Sequence, residues 1–220
     1  MKKAGLVAAG VLVLLIAGLL AYGAKGYRDA VNDAPALARR ADRLMAAGRG
    51  PEALGPGRID QLLAVEDRGF VRHHGVDLDS RGAGKTTLTQ SLAKRLAFDR
   101  FAPGVKKIRQ TGYAMGLESR LTKRQIIALW LDTAQMGRGP NGWMTGFFTA
   151  SRQAFGQPPA ALDQRRFLSL VAVGIAPRRF DLFHRDTALE NRVGRIERLV
   201  AGTCRPTGNG DVWLEGCAGT

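Results

Sequence analysis

Glu66 closes a short apolar run, Leu62-Leu63-Ala64-Val65, and is followed by Asp67-Arg68-Gly69-Phe70-Val71-Arg72-His73-His74-Gly75. A carboxylate emerging beside apolar groups is harder to ionise than one in water, so its pKa can rise until it works as a general base near neutrality. The same spacing suits an ordinary helix-end acid paired with Arg68 or Arg72, and residue types alone leave both readings open. A second chemical pattern, Gly84-Lys85-Thr86, resembles the end of a phosphate-binding loop. That loop needs a glycine five residues before its second one, and Asp79 stands there. An aspartate would aim negative charge at the phosphates, and the preceding stretch, VRHHGVDLDS, is too polar for the buried strand that such a loop follows. A nucleotide-binding reading is therefore set aside.

The elements that must position Glu66 read as helices. Apolar residues at helical spacing predict segments at Ile59–Glu66, Thr87–Ala97, Val105–Leu121, Lys123–Thr133, Met144–Phe155, Gln164–Val173 and Ala188–Val200. Thr122 with Gln125 and Thr187 with Glu190 supply start signals, in which a hydroxyl and an amide or carboxyl satisfy free N–H groups reciprocally. No alternating run is long enough to demand a sheet, and the domain is expected to be mainly α. Before it, Ala4 to Gly23 carries no charged residue and is long enough as a helix to cross roughly 30 Å of hydrocarbon. A cleaved signal peptide is the competing reading, but its apolar core is shorter, about 7–15 residues. The expected organisation is a short cytoplasmic start and transmembrane anchor over 1–23, a stalk or linker helix over 24–50, one globular domain over 51–203 and a tail over 204–220.

The chain carries 33 Lys and Arg against 19 acids, a formal charge of +14. Its partners should be anionic: nucleic acid, membrane headgroups or phosphorylated substrates. A DNA-binding reading lacks any recognition motif and leaves the apolar helix unexplained, so no nucleic-acid partner is expected. Cys204 and Cys217 flank a Gly-rich stretch, Thr207-Gly208-Asn209-Gly210-Asp211, that could turn the chain back. Outside the cytoplasm they would form a disulfide, stabilising by up to about 3 kcal/mol in the chain-entropy description; the alternative is two unrelated thiols. A metal site at the cysteines is not expected, because no histidine lies near them.

Glu66, Asp67, Phe70, His73 and Gly75 together resemble the first signature of the family-51 peptidoglycan glycosyltransferases, ED-x-x-F-x-x-H-x-G. The run from Gly84 to Lys94 is similar to the second signature, G-x-S-T-I-T-Q-Q-L-x-K, and Lys106-Lys107 through Leu117-Glu118 to the third. The resemblance covers roughly Ile59 to Val200 and implies a lysozyme-like helical glycosyltransferase domain behind an N-terminal transmembrane helix. It implies a lipid-linked glycan donor and lipid II, a lipid-linked disaccharide-peptide, as acceptor, with a polyprenyl diphosphate leaving. Glu66 would deprotonate the acceptor 4-hydroxyl. Thr86, Gln90, Lys94, Lys106, Lys107 and the position of Gln110 would meet the diphosphate; without the signatures the lysines would read as a solvated helix face. It also places the domain outside the cytoplasm, on the cytoplasmic membrane, which favours the disulfide. No transpeptidase domain is expected, so cross-linking would fall to a separate protein.

The chain departs from the family pattern at several positions. Gln110 stands where the third signature carries a glutamate, Ala128 and Phe148 stand at later glutamate positions, and Asp132 replaces an asparagine. An amide cannot hold a divalent cation as a carboxylate does, so magnesium or manganese is a possible rather than a required cofactor. Two classes follow: a polymerising enzyme, or a degenerate relative that binds lipid II or glycan, or scaffolds wall synthesis, without transfer.

Overall fold

A computed structural model describes residues 2–77, 79–80 and 86–219. Gly84 and Lys85, of the second signature, lie outside the described residues. The first helix, α1, runs from Lys2 to Ala46 without a break, about 67 Å at 1.5 Å per residue. Among the described residues it is the one helix long and apolar enough to cross a membrane, with a window of mean hydropathy 2.5 left wholly uncovered by the rest of the chain.

Its second half is no free stalk. α4 (Lys106–Glu118) lies along it so closely that a Cβ on Gly112 would overlap the carbonyl oxygen of Gly23, and one on Gly116 would overlap that of Tyr27. Small residues at an i, i+4 spacing let two helix backbones touch, which is how helices associate where no hydrophobic contrast drives them. Polar ties add to this contact: the Tyr113 hydroxyl donates to Asp33 at 2.7 Å, and Arg109 donates to Asp29 at 2.9 Å. The segment expected as a stalk is thus an integral wall of the domain.

The core is built on α5 (Lys123–Thr133), where Ile126 through Leu131 are all buried. A helix apolar on every face belongs in the middle of a domain. α1, α4 and α3 (Leu88–Ala97) pack on one side of it, and α6 (Phe147–Phe155) on another; α7 (Gln164–Val173) and α8 (Thr187–Val200) pack on each other, with α6 against α7. The short helix α2 (Arg58–Glu66) rests on α7 and α8. The Thr122 and Gln125 capping box forms as expected. The other start signal is displaced by one residue: Asp186, not Thr187, caps α8, accepting from the N–H groups of Ala188 and Leu189.

One element went unread in the sequence. Gln135–Gly139 (β1) and Gly142–Thr145 (β2) form a small antiparallel hairpin. It takes Met144 out of the helix expected to start there, and α6 begins only at Phe147. Gly137 has φ +86° and sits so near Pro177 that a Cβ would come within 2.7 Å of its carbonyl oxygen. Glycine is required there on both counts. Cys204 and Cys217 are bridged, with Cα atoms 5.3 Å apart.

The α1–α4 contact generates a test. Gly112→Ala gains helix propensity, about 0.8–1.0 kcal/mol in a helix interior, yet should lower the unfolding midpoint because the methyl must push the two backbones apart. Gly194→Ala, in α8 with only the Arg198 side chain within 4 Å, should leave the midpoint unchanged or raise it. Thermal unfolding of both variants in detergent decides; a Gly112→Ala protein as stable as Gly194→Ala would contradict the close contact.

Candidate active site

Glu66 is the last residue of α2, and the chain turns out of the helix at Asp67. The turn is held by one buried side chain. Asp67, 1% exposed, accepts a hydrogen bond from the backbone N–H of Leu88 at 2.8 Å, at the first turn of α3, and one from His73 Nε2 at 2.9 Å. A carboxylate at a helix N-terminus gains from the unsatisfied N–H groups and the dipole there. His73 Nδ1 accepts from the N–H of Gly75 at 3.1 Å, so the ring proton must sit on Nε2, facing Asp67. Thr87 closes the loop by donating its hydroxyl to the Gly75 carbonyl at 2.8 Å, and Lys123 donates to the His73 carbonyl at 2.7 Å.

Against this fixed turn Glu66 stands differently. No described residue donates a hydrogen bond to its carboxylate, and none forms an ion pair with it within 4 Å. The residue is only partly exposed, and protein atoms crowd its carboxylate. Gly174, just past α7, leaves room for Oε1; a Cβ there would lie 2.9 Å from it. Burial pushes the Glu66 carboxyl up from 4.5 to about 7, the Arg192 and Arg95 guanidiniums pull against that rise, and Asp67 adds to it. A carboxyl poised near neutrality with free lone pairs is what proton abstraction needs.

The two arginines escaped the sequence reading. Arg95, next to Lys94 on α3, donates to Thr133 at 3.1 Å and Ser91 at 2.9 Å, and leaves Nη2 buried without an acceptor. Arg192 on α8 is 5% exposed, with Nε and Nη1 unpartnered. Burial draws both guanidiniums down to about 10, and Glu66 opposes the fall. Arg192 had a signal: it interrupts the apolar stripe of Leu189, Val193, Ile196 and Leu199. A charge on a buried stripe needs a counter-charge nearby.

The remaining expected site residues divide. Lys107 donates to the Thr86 hydroxyl at 3.2 Å, Lys106 donates to the Arg100 carbonyl at 2.9 Å, and Lys94 lies over the Phe101 ring. None of these lysines has a carboxylate partner among the described residues. Gln90 and Gln110 are instead consumed internally. The Gln90 carbonyl oxygen completes a capping box with Thr87, its amide donates to Thr111 at 2.9 Å, and its backbone carbonyl accepts from the Gln110 amide at 2.7 Å. Gln110, 2% exposed, therefore ties α4 to α3.

Asp67, His73 and Asp77 bring their possible metal-ligating atoms within 4.8 Å of one another. The oxygens of Asp67 and both nitrogens of His73 are taken by hydrogen bonds, and Asp77 accepts from the N–H groups of Asp79 and Ser80. The cluster fits a hydrogen-bonded turn better than a cation site.

Comparison with known proteins agrees with this geometry. The transglycosylase family model matches residues 49–200. A biosynthetic peptidoglycan transglycosylase of Rhodospirillum centenum is 29% identical over 162 residues, 68% of this chain and 68% of that protein. One from Xylella fastidiosa is 30% identical over 159 residues, covering 67% of this chain and 64% of its own length. Penicillin-binding protein 1B of Escherichia coli K12 is 33% identical over 125 residues, 50% of this chain but 15% of that longer protein. With a signature turn built around Asp67, a free carboxylate at Glu66 and a match over most of its length, the chain belongs to the transglycosylase family.

Proposed function

We propose that this chain is a peptidoglycan glycosyltransferase that polymerises lipid II into glycan strands at the outer face of the cytoplasmic membrane. The observation that carries the reading is Glu66: a carboxylate at the family's signature position, without hydrogen-bond donors, held near neutral pKa by burial. In this role it takes the proton of the acceptor 4-hydroxyl as that oxygen attacks the anomeric carbon of the donor. The C–O bond to the diphosphate breaks, and the polyprenyl diphosphate leaves with the electron pair. Lys94, Lys106 and Lys107 face the charge that develops, and the Thr86 hydroxyl sits with Lys107.

The lipid tail has a path along α1. Leu19, Leu20, Ala24, Ile108 and Met115 line an apolar groove between α1 and α4 that ends at Lys107. A polyprenyl chain emerging from the bilayer at Leu19 and Leu20 would bring its diphosphate to Lys107 at that same end of the groove. A separate transpeptidase would supply cross-linking. Gln110 itself offers magnesium or manganese no seat, because its amide donates to the Gln90 carbonyl.

Three outcomes follow. Glu66→Gln should reduce polymerisation of labelled lipid II by about 10²–10⁴-fold, the range for a lost general base, and wild-type activity should rise through pH 7 as the carboxyl ionises. The native carboxyl holds its proton up to about pH 7 and the unfolded one only to about 4.5. Native stability therefore falls as pH rises through that window. Glu66→Gln removes the fall and should be more stable above pH 7 by about 1–3 kcal/mol, so lost activity with a sound fold marks a chemical role. Wild type that makes no polymer would instead favour a binding protein.

Polymerisation should change little between chelator and added magnesium. Gln110→Glu replaces a donor with an acceptor facing a carbonyl and should cost about 1–3 kcal/mol of stability. Activity that vanishes with chelator, or a Gln110→Glu protein as stable as wild type, would contradict these assignments.

A further inference from the structure

The family match ends at Val200, yet the chain continues into a built element. After α8 it returns along that helix, closed by the Cys204–Cys217 bridge. Arg195 donates to the Trp213 carbonyl at 2.9 Å and Arg198 to the Cys217 carbonyl at 2.8 Å. The Asp211 carboxylate accepts from the backbone N–H groups of Thr207, Glu215 and Gly216. Leu214 is buried with φ +55°, a conformation that a non-glycine residue holds only when its surroundings fix it.

This element stands Trp213 edge-on to Phe180, ring centroids 6.3 Å apart, beneath the Arg179 guanidinium at 5.4 Å. Together with α8 they wall a cleft of about 330 Å³ in which Arg179, Arg192, Arg195 and Glu215 meet. Arg195 and Glu215 pair with each other at 2.5 Å. Arg179 is exposed and has no carboxylate partner among the described residues. Arg192 is nineteen-twentieths buried with two nitrogens unsatisfied. The two unsatisfied nitrogens are sealed from solvent, so Arg192 acts on the cleft through its charge, and the exposed planar fork of Arg179 is the one that can meet a carboxylate directly.

We propose that this cleft binds a peptide carboxylate, the guanidiniums of Arg179 and Arg192 taking the charge and the Trp213 and Phe180 rings covering the apolar part beside it. As to source, and resting on the function proposed above, the ligand is the peptide of the disaccharide-peptide substrate or of the growing glycan. Arg192 also acts on Glu66 electrostatically. The substrate's other anion, the diphosphate, has the unpaired lysines of α3 and α4 to meet it.

The test is calorimetric titration of the full chain in detergent with the soluble disaccharide-peptide freed of lipid and diphosphate. One preparation keeps its peptide carboxylates and the other has them amidated; inorganic phosphate serves as a third probe. The free acid should bind at least about tenfold more tightly than the amide, a difference of about 1.4 kcal/mol. The exposed Arg179→Gln variant should lose most of that preference while keeping its unfolding midpoint, and Arg192→Gln should do so if it folds. Equal binding of acid and amide, inorganic phosphate binding as tightly as the acid, or a preference unaffected by Arg179→Gln would each overturn the proposal. Lipid II polymerisation is measured on the same preparations. A wild type that fails to polymerise while preferring the acid removes the proposed function and leaves the cleft; one that polymerises without the preference does the reverse.

Discussion

The Asp67 carboxylate is the constraint on which the site depends. Glu66 has no hydrogen bond to hold it, so its place is set by its neighbour, which joins the end of α2 to the start of α3 and to His73. Because Asp67 is buried, it cannot trade these partners for water, and losing any one would leave an unsatisfied charge at a cost of several kcal/mol. The position of the free carboxylate is thus fixed by the bound one. This division suits catalysis: the residue that reacts must keep its lone pairs, and the stabilising bonds have to be made by another group.

The second constraint is the contact between α1 and α4. Lys106 and Lys107 begin α4, and α4 touches α1 backbone to backbone through Gly112 and Gly116. Since the preceding part of α1 is the apolar span, the height of the lysines above the bilayer is set by helix geometry and not by a flexible linker. Under the proposed function, a lipid-linked diphosphate would be confined to the same height by its tail, and a rigid join would place charge against charge without a search in the third dimension.

Much of this was legible in the sequence, for identifiable reasons. The helices α5 and α7 were read to the residue because continuous apolar periodicity and, for α5, the Thr122 and Gln125 box mark them locally. Glu66 was legible through the signature it shares with Asp67, Phe70, His73 and Gly75, since an acid ending an apolar run also suits an ordinary helix-end carboxylate. The hairpin at Gln135–Thr145 was not, since its glycines carry no strand propensity and the close approach of Gly137 to Pro177 is a tertiary contact. Gln90 and Gln110 were assigned to substrate because a signature reports that a residue type matters without telling inside from outside; the structure finds both buried and bonded to each other's helix. Arg95 was hidden by its place beside the more conspicuous Lys94, and Arg192 by treating α8 as packing alone. The cleft at Trp213 lay beyond any residue pattern, since its walls come from Arg179 and Phe180, α8 and the disulfide-closed tail, which only the fold brings together.

The site turns on a carboxyl whose ionisation is held back by burial and favoured by the Arg192 and Arg95 guanidiniums. The direct measurement is a carboxyl-carbon NMR titration of the protein labelled at glutamate, with the Glu66 resonance assigned by its absence from Glu66→Gln. That resonance should show a midpoint near pH 7. A midpoint near 4.3, the ordinary value for a solvated glutamate, would show that the site does not hold its base poised and would contradict the central claim.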